Sequence, residues 1–327
     1  MDIKDVKSYL GRDWQDVRDA IVASLDSDIE LLNNVNSSIL DNSGKQLRPI
    51  LALLVARACS PAGITIKTVN YAAAAELLHN ATLLHDDVAD GSEMRRGVPT
   101  VMSLMGPSVS VLVGDYWLVK AVGRILETSD GNEEVIRLFS KTLSDLSEGE
   151  MLQLQKAQKG DTDENDYLRI IYGKTASLFE VTAVSAAISV NASVEYVAAV
   201  RDYAVALGLA FQIKDDILDY SGTESVGKPL GVDILEQKIT MPLLCALKNV
   251  SSQEQDRVRG LVNDIPSHPE YRDEIVSFVK QNGGIEEAQK CLAGYISKAV
   301  DALTVLPESV ERTYLEKLAS FTAMRDK

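Results

Sequence analysis

The sequence predicts an all-α protein, on three observations. No proline stands between Pro107 and Pro229, so helices can run there without losing backbone hydrogen bonds. Apolar residues in that stretch recur at helical spacing, as at Leu138, Leu143, Leu146, Met151 and Leu154. Strand-like alternation is scarce, and aromatics make up only 6% of a chain rich in alanine and leucine, which suits close helix packing. Ten or more helices of ordinary length are expected. With 327 residues, 46% of them hydrophobic, the chain can bury a large core. No low-complexity tract or Pro/Gly-rich linker divides it, so one domain over residues 1–327 is expected.

The elements follow in order. The N-terminus, Met1-Asp2-Ile3-Lys4-Asp5, is charged and amphipathic, unlike a signal peptide. Asn42-Ser43-Gly44 precedes a helix beginning around Pro49, where proline suits the first turn. Ser60-Pro61-Ala62-Gly63 ends it. A long helical stretch then leads to an acidic cluster at 86–90, followed by a basic loop over 91–99. Lys159-Gly160-Asp161 breaks the central run. A glycine-containing loop spans 221–231, Lys238-Ile239-Thr240 opens the next helix, and 264–269 separates a C-terminal group of shorter helices.

The net charge of −15 argues against a nucleic-acid partner. An anionic ligand would need local cations or a metal. Cys59, Cys245 and Cys291 are scattered, without metal spacing, as in a reducing compartment. No apolar run approaches transmembrane length. A cytoplasmic location is expected.

Two acidic motifs dominate: Asp86-Asp87-Val88-Ala89-Asp90 and Asp215-Asp216-Ile217-Leu218-Asp219. Both read D-D-x-x-D, and on a helix the first and third Asp are one turn apart. Six carboxylates converging from two helices would repel one another. Mg²⁺ would relieve this, since it favours a few carboxylates plus water and phosphate oxygens. One such motif alone reads equally as a solvated helix end. The second copy, and the apolar residues before each, favour a metal-bridged diphosphate site.

Basic and polar residues flank both motifs. Arg95-Arg96-Gly97 follows the first, with guanidinium forks suited to phosphate. Lys45 and Arg48 stand at a helix entry, without the spacing of a Walker A loop. His79, seven residues before Asp86, can donate to a diphosphate or serve as a core histidine, and His85 adjoins Asp86. Lys174-Thr175 lies on another apolar helix. Gln212 precedes the second motif, and Lys228, Asp233 and Lys238 follow it. Any one of these lysines alone reads as a solvated charge.

This pattern resembles the trans-isoprenyl diphosphate synthase, or polyprenyl synthetase, family. The matching segments are Gly44-Lys45-Gln46-Leu47-Arg48-Pro49, residues 76–90, Arg95-Arg96-Gly97, Gly114-Asp115, Glu148-Gly149-Glu150 with Gln153, Lys174-Thr175, residues 211–219, and the run from Gly227-Lys228 to Lys238-Ile239-Thr240-Met241-Pro242. The resemblance implies an all-α bundle around a deep central cavity, usually a homodimer. It implies head-to-tail condensation of isopentenyl diphosphate onto an allylic diphosphate such as farnesyl or geranylgeranyl diphosphate. By motif, Asp86, Asp90 and Asp215 would bind Mg²⁺, with Asp87, Asp216 and Asp219 in the same acidic sets. Lys45, Arg48, His79 and Arg96 would hold isopentenyl diphosphate. Arg95, Lys174, Thr175, Gln212, Lys228 and Lys238 would hold the allylic diphosphate, with Lys174, Thr175 and Gln212 also steadying the allylic cation. Gln46-Leu47 departs from members that carry further basic residues there.

Product length is read from the residues before Asp86. Ala81 and Thr82 are small, Leu78 continues the helix, and the first upstream aromatic is Tyr71, about 22 Å away. In this family a bulky residue four or five places upstream goes with short products. Its absence here implies a long all-trans product, of a length suited to quinone side chains, unless a neighbouring helix supplies the floor through Trp117, Leu118 or Leu126. Release of so apolar a product could involve transient membrane contact. Other readings are a short-chain synthase, a non-catalytic subunit of a heteromeric synthase and a terpene cyclase. Glu76-Leu77-Leu78-His79 also raises a di-iron bundle, which lacks its second E-x-x-H.

Overall fold

The computed structural model describes residues 2–128, 133–221 and 231–325, and most of them are helical. The helices are α1 Ile3–Leu10, α2 Arg12–Ser24, α3 Glu30–Asp41, α4 Leu47–Cys59, α5 Ile66–Ala89, α6 Val101–Met105, α7 Pro107–Thr128, α8 Glu133–Lys159 and α9 Glu164–Ile171. A π-helical turn, Tyr172–Ala176, leads into α10 Ser177–Ser189. Then come α11 Val194–Ser221, α12 Val232–Leu235, α13 Met241–Lys248, α14 Ser252–Asp264, α15 Tyr271–Gln281, α16 Gly284–Ala302 and α17 Val310–Met324. Among the described residues the only strands are a tiny antiparallel hairpin, β1 Met94–Arg95 and β2 Val98–Pro99. The chain forms two compact units. One comprises Met1–Ser140, Val181–Arg201 and Val305–Leu315, and the other Lys141–Glu180, Asp202–Thr304 and Glu316–Lys327.

In the first unit α5 is the core helix, with α2, α4 and α7 packed on it. Every residue from Tyr71 to Leu78 is buried. A helix apolar on all sides belongs inside a protein, and the run Ala72 to Ala75 keeps its surface thin enough for neighbours to approach. Its start is held by a capping box between Thr65 and Thr68, and the Thr68 hydroxyl also meets that of Ser189 at 2.5 Å. Ser110 Oγ on α7 donates to the Leu84 carbonyl at 2.8 Å, which anchors the end of α5 that carries the first acidic motif.

In the second unit, α13 is buried along its whole length except its last residue and packs on α15 and α16. Gly284 makes the approach to α16 possible, because a Cβ there would lie 2.3 Å from the Pro242 carbonyl oxygen.

Several local expectations need amending. Helix α4 starts at Leu47, so Pro49 stands within its first turn, where its missing N–H costs nothing. The basic segment 91–99 is not an open loop, since residues 94–99 form the hairpin. Arg96 and Gly97, with φ of 53° and 81°, make its turn. Thr240 stands at the N-cap position of α13 and Pro242 sits in its first turn, so Lys238 precedes that helix instead of opening it. The C-terminal helices are not uniformly short, as α16 has 19 residues. Finally, α11 is long and apolar enough to cross a membrane by length and composition. Just over half of its apolar window is buried in the protein, and it carries the second acidic motif.

Candidate active site

The first unit holds the first acidic motif and most of the basic residues. Asp86 and Asp87 lie in the last turn of α5, and Asp90 is its C-cap. This is the negative end of the helix dipole, where carboxylates are disfavoured and cations favoured. Asp87 is buried, and Arg95 Nε from the hairpin donates to its Oδ1 at 2.8 Å. Burial raises the Asp87 pKa, and the Arg95 charge opposes that rise. Asp86 is half-buried and Asp90 exposed, so both are less enclosed than Asp87.

Arg95 thus spends its Nε on Asp87, while Arg96 reaches back to the Asn42 carbonyl at 3.4 Å. Gly44 makes room for that reach. A Cβ at Gly44 would lie 2.4 Å from Arg96 Nη1, and its φ of +69° suits glycine. Arg48 lies near enough to Arg96 and to Glu76 on α5 for both to shift it. Burial pulls its pKa down to about 10, Glu76 opposes this and Arg96 adds to it, so Arg48 stays charged at neutral pH. His79 sits among these cations. Burial first, then Arg48, Arg96 and Arg95, hold its pKa well below the usual histidine value. A neutral imidazole results, able to donate one hydrogen bond to an anion. Lys45 is exposed at the same entry to α4. His85 packs against Gly114, with Nε2 3.2 Å from Asp115 Oδ1.

The candidate chain-length residues also lie here. Leu78 and Ala81 are buried, at 2% and 1% exposure. Thr82 is half-buried, one turn before Asp86 on the same face, and its hydroxyl donates to the His79 carbonyl at 2.8 Å. Trp117 is fully buried, with Nε1 bonded to Asn36 Oδ1 at 2.8 Å, while Leu126 is exposed.

The second unit holds the second motif in the last turns of α11. Asp216 is buried with both oxygens engaged: Tyr167 Oη donates to Oδ2 at 2.5 Å, and Gln212 Nε2 to Oδ1 at 3.0 Å. Burial pushes the Asp216 pKa up to about 6, against the pull of these two donors. Thr175 Oγ1 in turn donates to Gln212 Oε1 at 2.9 Å. Thr175, Gln212, Asp216 and Tyr167 are therefore linked in one hydrogen-bonded chain that fixes the Gln212 amide. Asp219 accepts from the backbone N–H groups of Val232 and Asp233 at 3.1 and 3.2 Å. Arg325, just past α17, reaches Asp215. Its Nη2 is 2.8 Å from Asp215 Oδ1 and 2.6 Å from the Phe211 carbonyl, and its guanidinium lies 3.6 Å over the Phe211 ring.

Lys174 and Thr175 stand on the π-helical turn, not on a regular helix. A π-turn inserts a residue, which swings both side chains out of α-helical register. It is braced by glycines: Gly173 crosses Gly149 of α8 so closely that a Cβ on Gly173 would lie 2.5 Å from the Asp145 carbonyl. Lys174 Nζ is 3.0 Å from Gln153 Oε1 and 2.8 Å from Glu150 Oε1. Lys238 pairs with Glu236. Gln153, Tyr167, Lys174, Gln212, Asp216 and Lys238 line one polar pocket, with Asp233 beside them. Lys228 lies outside the described residues.

The donor set fits a particular kind of cation. Among the described residues, no three acidic, histidine or cysteine side chains converge into a ready-made cage. Mg²⁺ needs no such cage, because it keeps water and takes substrate phosphate oxygens beside one or two carboxylates. Within the first unit Asp86 and Asp90 are of the right kind for that role, and within the second so is Asp215, one of whose oxygens is held by Arg325. Asp87 and Asp216 are already committed to protein donors. Sequence reasoning did not single out Tyr167 or Arg325, each distant in the chain from the acid it touches. The approach of Gly149 to Gly173 has no local signal in the sequence.

A helical protein with two aspartate-rich helix ends, each flanked by cations able to hold a diphosphate, is the class these features define. The polyprenyl synthetase family profile matches residues 29–279. Octaprenyl diphosphate synthase of Escherichia coli is 35% identical, covering 100% of both chains. Among solved structures, a decaprenyl diphosphate synthase from Rhodobacter capsulatus superposes with a TM-score of 0.90 at 34% identity, covering 100% of both chains. A polyprenyl synthase from Caulobacter crescentus, crystallised with calcium and isoprenyl diphosphate, gives 0.89 at 32% identity, covering 100% of this chain and 98% of the other. The chain belongs to the polyprenyl synthetase family and is a trans-prenyltransferase.

Proposed function

We propose that this protein condenses isopentenyl diphosphate head to tail onto an allylic diphosphate, farnesyl or geranylgeranyl, with Mg²⁺, and continues to a long all-trans polyprenyl diphosphate. A quinone side chain is the physiological use that length suits. The observation that carries the reaction class is the pairing, in each unit, of a D-D-x-x-D helix end with cationic or amide side chains of fixed orientation. Support for a long product comes from α5, where Thr82 shares the Asp86 face and no aromatic intervenes back to Tyr71. The relatives named above, an octaprenyl and a decaprenyl diphosphate synthase, agree with it.

Bound Mg²⁺ would supply charge neutralisation that makes diphosphate a leaving group. Asp86, Asp90 and Asp215 are the proposed ligands, with Asp87, Asp216 and Asp219 holding their neighbours in position. Lys174, Lys238 and Arg95 offset the charge that grows on the allylic diphosphate as its C–O bond breaks, and Lys228 is assigned with them from sequence. Thr175 and Gln212, locked by their mutual hydrogen bond, present oriented dipoles to the allylic cation. Lys45, Arg48, Arg96 and neutral His79 hold isopentenyl diphosphate, whose double bond attacks the cation. A proton is then lost to the departed diphosphate.

The whole chain, 1–327, is proposed to act as one catalytic domain, since its relatives match end to end. A homodimer is favoured by α7, where Leu112, Val119, Val122 and Leu126 form an exposed apolar stripe at heptad-like spacing. Cytoplasmic location, with only transient membrane contact on product release, agrees with the three free thiols.

The test is incubation with Mg²⁺, farnesyl diphosphate and labelled isopentenyl diphosphate, followed by sizing of the dephosphorylated products. A ladder ending well past twenty carbons is expected. A stop at fifteen or twenty carbons with every primer would refute the long product. No elongation by folded protein would refute the synthase.

A further inference from the structure

Glu76 has no role in the reaction described so far, yet it sits among the residues assigned to isopentenyl diphosphate. It lies on α5, one turn before His79, and is 2% exposed. Its Oε2 is buried without a hydrogen-bond partner. Burial raises its pKa, and that rise is opposed by Arg48 from α4, Arg96 from the hairpin turn, a hydrogen bond with Asn80 and Lys7 from α1, so the charged groups that act on it are all cations. All belong to the first unit.

Offsetting the charge of Arg48 is only part of what this carboxylate does. A buried oxygen left without a donor has lost its water and gained no bond in return, which is costlier still when it is charged. Replacing a whole buried ion pair by apolar residues is often neutral or stabilising, whereas removing one partner alone is destabilising. The other part is what the charge does to a ligand of the neighbouring cations. In head-to-tail condensation, the diphosphate of isopentenyl diphosphate is not the leaving group. It stays on the lengthened product and must vacate Lys45, Arg48 and Arg96 before the next isopentenyl diphosphate enters. An uncompensated cluster of cations would retain it.

We infer that Glu76 is a positioning residue that acts through Arg48 and Arg96, its buried negative charge weakening their hold on diphosphate so that the product vacates the site each cycle. This rests on the proposed function above. It predicts that neutralising Glu76 tightens binding and slows repeated elongation, the opposite of what loss of a merely structural residue would do.

The test is calorimetric titration of isopentenyl diphosphate, without an allylic partner so that nothing reacts, into wild type, Glu76→Gln, Glu76→Met and Glu76→Asp, each checked for folding by thermal unfolding. Glu76→Gln should bind roughly fivefold tighter or more, and Glu76→Asp, which keeps the charge, should resemble wild type. In a timed assay from farnesyl diphosphate, the Gln variant should complete the first condensation normally and accumulate shorter products. Should Glu76→Gln not fold, Glu76→Met removes the same charge with apolar volume and is read the same way. Binding by the neutral variants that is equal to or weaker than wild type would overturn the inference while leaving the synthase intact. A folded wild type that does not bind isopentenyl diphosphate would instead overturn the proposed function, and this inference with it.

Discussion

Replacing Gly173 with alanine should destabilise the protein, although glycine-to-alanine changes inside helices normally stabilise. Propensity alone favours alanine by about 1 kcal/mol. At Gly173 the added Cβ would lie 2.5 Å from the Asp145 carbonyl oxygen and 3.1 Å from the Gly149 Cα. A carbon–oxygen contact relaxes at about 3.3 Å, so α8 and the π-turn must part by about 0.8 Å. Both obstacles are backbone, and neither can rotate away. Overpacking of this kind costs about 1–3 kcal/mol, which outweighs the propensity gain. The shift also moves Lys174 and Thr175, the next two residues, away from Gln153 and Gln212. Urea denaturation should give a midpoint below wild type, and the KM for the allylic diphosphate should rise more than that for isopentenyl diphosphate. Gly123→Ala on α7 is the control. Nothing lies within 4 Å of its added Cβ, so there the propensity term should win and the midpoint should rise or hold. A Gly173→Ala protein as stable as wild type, with unchanged KM values, would refute the packing argument.

Two further perturbations test the cations. Because Arg325 occupies Asp215 Oδ1, Arg325→Gln should free that oxygen and tighten Mn²⁺ binding several-fold in the substrate-free enzyme, read by electron paramagnetic resonance titration; unchanged affinity would mean Asp215 does not take the metal there. His79 has a pKa lowered by burial, so below about pH 6.5 the unfolded chain takes up a proton that the folded protein refuses. Stability should therefore fall with falling pH by up to about 1.4 kcal/mol per unit from this group, and His79→Gln should flatten that slope between about pH 6.5 and 5 in denaturation curves. Equal slopes for the two proteins would show that His79 titrates normally.

The helical class and the order of elements were legible because periodicity and proline placement act locally. The acidic motifs were legible for a related reason, since a three-residue offset places two acids on one helix face whatever surrounds them. Their cationic company could be read only as a pattern resembling a known family, because nothing local brings Arg96 to Gly44 or Lys174 to Gln153. What tertiary structure decided is which acid is available. Asp87 and Asp216 look identical to their neighbours in sequence, yet burial and donors from Arg95, Tyr167 and Gln212 commit them to the protein. The π-turn under Lys174 was likewise invisible, because it arises where two glycine-bearing segments cross and not from the propensity of five residues. Arg325 and Glu76 carry the same lesson. Their meaning depends on low-dielectric neighbours contributed by distant segments, and a charge acquires its energy from those surroundings, not from its place in the chain.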